Sequence, residues 1–182
     1  EELLANLSAV PEAVRAIERL GIEQLPFGPQ QPLALAKLQA TTPLRLPDCC
    51  VLAPAPSFVM FRLISQWLNV RFEDVTLRSD FQLDLPAMLA AMRLHRPRLI
   101  FLACPNNPTG NLFGEASLRA VLEAADALVV IDEAYLAFAS RDHTALLSEY
   151  PNLMIMRTLS KLGLAGLRLG YLIGDPRWIA EF

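Results

Sequence analysis

The sequence predicts an α/β fold, a mostly parallel sheet with helices on both faces. From Asp48 onward, short apolar runs alternate with helical patterns. Several of those runs, such as 49–53, 98–103 and 127–131, are apolar at nearly every position, as in strands buried on both faces of a parallel sheet. The 182 residues, 53% hydrophobic and 19% charged, suffice to bury a sizeable core.

In chain order, Glu2 to Leu20 places Leu3, Leu4, Leu7, Val10, Val14, Ile17 and Leu20 on one face, an amphipathic helix interrupted at Pro11. The stretch 21–47, with Pro26, Pro29, Pro32, Pro43 and Pro47, reads as irregular apart from a short helix near Leu33–Ala40. We therefore expect an N-terminal helical and irregular segment over 1–47 and one α/β core over 48–182. Strands are expected at 49–53, 70–76, 98–103, 127–131, 153–158 and 167–173. Helices are expected at Ser57–Leu68, Leu85–Leu94, Glu115–Ala124 and Thr144–Glu149, with Asp84 as an N-cap and Pro86 tolerated in the first turn. Arg93, Arg96 and Arg98 bracket a helix-to-strand loop and read as solvated charge.

Sixteen basic against nineteen acidic residues give a net charge of −3 and no electrostatic footprint for nucleic acid or an anionic membrane. No apolar run reaches the roughly 18–20 residues of a membrane span. Acidic residues at the start of EELLANLSAV do not suit a signal peptide, so a cytoplasmic location is expected. Cys49 and Cys50 are adjacent and Cys104 is distant, which forms no disulfide framework. With His95 and His143 as the only histidines, no metal site is expected.

Ligands of parallel sheets bind beyond the carboxyl ends of the strands. Three such positions carry unusual residues. After strand 98–103 comes Cys104-Pro105-Asn106-Asn107-Pro108-Thr109-Gly110, where Asn107 offers an amide donor between prolines; a rigid turn accounts for it equally. Strand 127–131 delivers Asp132-Glu133-Ala134-Tyr135. This reads as a helix cap, as a metal-binding pair, or as a carboxylate for a cationic ring nitrogen. The metal-binding reading needs an upstream G-x-x-x-x-G-K-[ST] loop, which the sequence does not contain. After strand 153–158 come Ser160 and Lys161, then Gly163, Gly166, Arg168 and Gly170. A partly desolvated lysine there suits a Schiff-base amine, and Ser160 with Arg168 suits a phosphate. The glycines do not fit G-x-G-x-x-G. Amide, carboxylate, phenol, lysine and phosphate ligands at neighbouring strand ends together match the needs of pyridoxal phosphate.

The segments PNNPTG, VVIDEAYLAF and RTLSKLGLAGLRLGY, in this order and spacing, resemble the fold-type-I pyridoxal phosphate aminotransferases, and among those the histidinol-phosphate aminotransferases. The similarity runs from about Asp48 to the end. It implies that Lys161 binds the cofactor aldehyde and moves the α-proton, and that Asp132 keeps the pyridine nitrogen protonated. Asn107 and Tyr135 are implied as ligands of the phenolic oxygen, Phe58 as the ring-stacking aromatic, and Ser160 and Arg168 as phosphate ligands. It further implies a homodimer using a small-molecule amino donor and a keto acid, without nucleic-acid or membrane partners. A C-terminal small domain and a Gly-rich phosphate loop, both usual in such enzymes, are not recognisable here, so the chain is expected to represent part of a longer protein. Threonine-phosphate decarboxylases and aromatic aminotransferases share these motifs. A catalytically inert folding or dimerisation module is the alternative from another class.

Overall fold

The computed structural model describes residues 49–180. The expected helix over 2–20 and the irregular stretch 21–47 lie outside them. The chain divides into two units. One, Arg45–Asp175, contains the whole sheet; the other includes the short helix Pro176–Ile179.

The sheet unit runs β1 (Cys50–Ala55), α1 (Met60–Trp67), β2 (Arg71–Thr76), α2 (Leu85–His95), β3 (Leu99–Ala103), α3 (Glu115–Ala124), β4 (Leu128–Asp132), β5 (Leu153–Thr158) and β6 (Gly170–Gly174). Among the described residues the strand order is β2-β1-β3-β4-β5-β6. All pairings are parallel except β5 with β6, which is antiparallel. The chain passes from β1 to β2 on one side and then to β3 on the other. That reversal opens a crevice at the carboxyl ends of β1 and β3, where open α/β sheets place their ligands.

One face of the sheet, carrying Leu52, Ile100, Leu102, Val129, Ile131, Leu153 and Ile155, packs against Met88 and Met92 of α2 and Leu118, Val121 and Leu122 of α3. Each of these apolar side chains contributes about 1.5–3 kcal/mol when fully removed from water. On the other face Phe61 of α1 packs with Ala53 and Ala103, its ring stacked on Phe101 at 4.4 Å. The two-sided covering explains why β3, β4 and β5 read as continuous apolar runs. No helix among the described residues is long and apolar enough to cross a membrane.

Several boundaries differ from the sequence reading for local reasons. β1 continues through Pro54 to Ala55. Its ladder with β3 ends at Leu52, so Pro54 falls where the strand is paired only with β2. α1 begins at Met60 rather than Ser57, because the Ser57 hydroxyl donates to Asn106 Oδ1 at 2.9 Å and caps no helix. α2 follows expectation, with Asp84 Oδ1 accepting from the Ala87 N–H at 3.0 Å. Residues Thr144–Ser148 form a 3₁₀ turn. β6 starts at Gly170, since Ala165–Leu167 forms another 3₁₀ turn and Arg168 adopts a left-handed φ of 51°.

Candidate active site

The turn after β1 and the loop after β3 are tied together by one buried side chain. Asn106, 1% exposed, donates from Nδ2 to Pro56 O at 3.0 Å and to Thr109 Oγ1 at 2.7 Å, while its Oδ1 accepts from Ser57. Its backbone also closes the loop, accepting from the Gly110 N–H at 2.7 Å and donating to Asn111 O at 2.9 Å. The Asn106 amide is thus committed to structure. That of Asn107, one residue on, lines a cleft. Phe58, in the tied turn, meets Phe61 edge-on at 5.4 Å and lines the same cleft.

Asp132 ends β4, buried to 5% exposure, with its backbone carbonyl accepting from the Cys104 N–H at 2.9 Å. Its Oδ1 accepts from the Ala134 N–H at 2.9 Å, so it does cap the turn that follows. Burial pushes the carboxyl up to about 6; the Ala134 bond opposes this, and the neighbouring Glu133 charge adds to it. A desolvated carboxylate lining a cleft calls for a cationic partner.

β5 leads into a loop whose neck is the Leu159 N–H to Leu169 O bond at 3.0 Å, reinforced by Thr158 Oγ1 to Leu169 O at 3.2 Å. Thr158 Oγ1 also accepts from the Ser160 N–H at 3.1 Å. A 3₁₀ turn, Ser160–Leu162, lifts Lys161 off the buried strand, and Gly163 takes a φ of 85° that favours glycine. Lys161 is therefore exposed, where the sequence suggested a partly desolvated amine. Its Nζ lies 4.9 Å from the centroid of the Tyr135 ring, a cation–π arrangement at the mouth of the cleft.

Phe58, Asn107, Asp132, Tyr135 and Lys161 accordingly converge, with Ala103, Pro105 and Ala134, on one open cleft. Ser160 and Arg168 do not line it. They stand beside each other in the chain path, next to Leu159 and Leu169 at the neck of the lysine loop. The sequence reading missed Asn106, Glu133, His143 and Arg157. A signal existed for the last: a lone arginine inside the apolar run LMIMRT needs a buried acid nearby.

The family model for aminotransferase class I and II matches residues 36–182. The chain belongs to that family. Among curated members, a histidinol-phosphate aminotransferase 2 from Nitrosococcus oceani is 53% identical over 74% of this chain and 38% of that protein. A second, from Cupriavidus pinatubonensis, is 44% identical over 99% of this chain and 52% of that protein. The aminotransferase chain thus spans between about two fifths and half the length of these two relatives. A solved histidinol-phosphate aminotransferase from Sinorhizobium meliloti, in complex with pyridoxal-5'-phosphate, superposes with a TM-score of 0.63 at 25% identity, covering 91% of this chain and 53% of that one. The family's donor chemistry fits this cleft: a primary amine, a desolvated carboxylate, a phenol, an amide and an aromatic face all border it.

Proposed function

We propose that this chain is the cofactor-binding part of a pyridoxal phosphate-dependent aminotransferase that interconverts histidinol phosphate and imidazole-acetol phosphate, with glutamate and 2-oxoglutarate as the other pair. The observation that carries the reading is the buried Asp132 carboxylate sharing one cleft with the Lys161 amine. The identity to histidinol-phosphate aminotransferases supports the substrate assignment.

When bound, the cofactor supplies an aldehyde that condenses with amines and a ring that accepts the electrons of a bond broken at the substrate α-carbon. Lys161 would hold the cofactor aldehyde, and its free amine would take and return the proton at the substrate α-carbon. Asp132 would pair with the ring N–H, a pairing its burial would strengthen. Asn107 and Tyr135 would donate to the phenolic oxygen, and Phe58 would cover a ring face. Ser160 and Arg168, at the neck of the lysine loop and outside the cleft lining, would hold the phosphate by hydroxyl and guanidinium. The protein acts as a cytoplasmic homodimer.

The test uses full-length protein. Loading with pyridoxal phosphate should give a visible absorbance band that borohydride fixes onto Lys161. Glutamate-dependent amination of imidazole-acetol phosphate should follow. Carbon dioxide release without any need for a keto acid would instead indicate a decarboxylase. Light scattering tests the dimer.

A further inference from the structure

Beside the cleft lies a buried charged cluster to which the roles above give no part. Glu133 is 1% exposed and lines no part of the cleft. Its Oε1 accepts from the His143 backbone N–H and from His143 Nδ1, both at 2.8 Å. Its Oε2 accepts from Arg157 Nε at 2.8 Å. Arg157 Nη2 sits 3.4 Å from Asp142 Oδ2, and His143 Nε2 sits 3.9 Å from Cys104 Sγ.

The cluster follows from register. Asp132 pairs with Met156 across β4 and β5, and the Glu133 N–H donates to Met156 O at 2.8 Å. One step further, Glu133 comes beside Arg157. Successive side chains of a strand point to opposite faces. Asp132 therefore faces the cleft while Glu133 and Arg157 meet on the other side. Arg157 lies four residues before Lys161, and Cys104 lies three before Asn107. The cluster thus joins the strand ends that carry Asn107, Asp132 and Lys161.

Buried ion pairs are weak sources of stability, because apolar replacements of similar volume do as well; their best-attested use is to fix register. On the reading that this cleft holds pyridoxal phosphate, we propose that Glu133 is a positioning residue, whose bonds to Arg157 and His143 hold Asp132 in register with the Lys161 loop. Glu133 touches neither substrate nor cofactor. It acts through β4 on Asp132 and through Arg157 on the strand that feeds the lysine.

Glu133→Gln keeps the shape but replaces one acceptor oxygen with a donor, so the contact to Arg157 or to His143 is lost. The charged or titratable groups around the position are Asp132, Asp142, His143, Arg157, Tyr171 and Cys104, with Lys161 and Tyr135 on the cleft side. Removing one negative charge from this set makes the field at the cleft more positive and disfavours protonation there.

The experiment uses the full-length holoenzyme with Glu133→Gln and, as an independent variant, Arg157→Lys. Measured are kcat and KM for glutamate, and the pH midpoint of the visible absorbance of bound pyridoxal phosphate. Displaced groups are expected to lower kcat about 10- to 100-fold in both variants, with KM changed less than about threefold. In Glu133→Gln the midpoint should fall by roughly half a unit or more. Wild-type kcat and midpoint in either folded variant, with thermal stability alone reduced, overturns the positioning role and leaves the aminotransferase reading standing. A wild-type protein that develops no visible band overturns both.

Discussion

The Lys161 ammonium lies over the Tyr135 ring, 4.9 Å from its centroid, so the loop after β5 and the turn after β4 meet at one mouth of the cleft. The ring and the hydroxyl have separable tasks. Tyr135→Phe keeps the face under the amine and deletes the donor. Loss of one hydrogen bond to a charged group, about 1.5–3 kcal/mol, predicts a roughly 10- to 100-fold lower kcat with the lysine still trapped by borohydride. Lys161→Ala should remove trapping and transamination together. Steady-state kinetics beside mass spectrometry of the reduced protein checks both.

The raised Asp132 pKa makes this residue costly before any cation arrives. Its folded value of about 6 exceeds the ordinary 3.9, so the folded state holds the proton more tightly. The associated stability is present below pH ~4 and lost as pH rises through ~6, about 2–3 kcal/mol in all. Asp132→Asn should therefore stabilise the cofactor-free protein at pH 7.5 by up to that amount, with the gain shrinking toward pH 4. The same change should weaken cofactor binding and cripple turnover. Urea titrations at several pH values, compared with cofactor affinity, give the answer.

His143 gives a slope of the same sign in a higher pH window. Burial disfavours its charge, but the Cys104 and Glu133 contacts prevail and lift the imidazole to about 9. A raised histidine contributes stability fully below pH ~6.5 and loses it as pH climbs through ~9, about 3 kcal/mol at most. His143→Gln should flatten the fall in stability between pH 7 and pH 9. An unchanged slope in that variant would show that another group titrates there.

Asn106→Ala leaves the Pro56 carbonyl without its amide partner and frees Ser57 and Thr109 from theirs. A loss of about 2–4 kcal/mol is expected, with looser packing of Phe58 and weaker cofactor binding. Asn107→Ala, by contrast, should leave stability within about 0.5–1 kcal/mol of wild type while lowering activity. Thermal unfolding and cofactor titration of the two variants separate the structural asparagine from the one in the cleft.

Much of this arrangement is legible in the sequence. β5 reads plainly because six apolar-rich residues end in a polar cluster, and Asp132 because four apolar residues deliver it to an edge. What escaped was whatever depends on contacts distant in sequence. The helix expected from Ser57 starts only at Met60, and the Ser57 hydroxyl is taken by Asn106, 49 residues away. Glu133 looks like the weaker half of an acidic pair, and its partners lie 10 and 24 residues on. The exposure of Lys161 depends on a 3₁₀ turn that periodicity does not reveal. Local pattern locates strands and the residues at their ends; which amide lines a cleft and which one knots a loop is decided by tertiary partners.

The reversal of β6 gives the lysine loop a different assembly history from the rest of the site. Phe58, Asn107 and Asp132 reach the cleft only after crossovers have placed parallel strands side by side, contacts of large sequence separation that form slowly. Lys161 and Arg168 sit in a hairpin closed by Leu159 and Leu169, which needs only its own two limbs. For protein engineering this makes the segment between β5 and β6 a cassette. It can be lengthened, shortened or exchanged without rethreading the sheet, so the reach of the amine can be altered while the carboxylate opposite it stays in place.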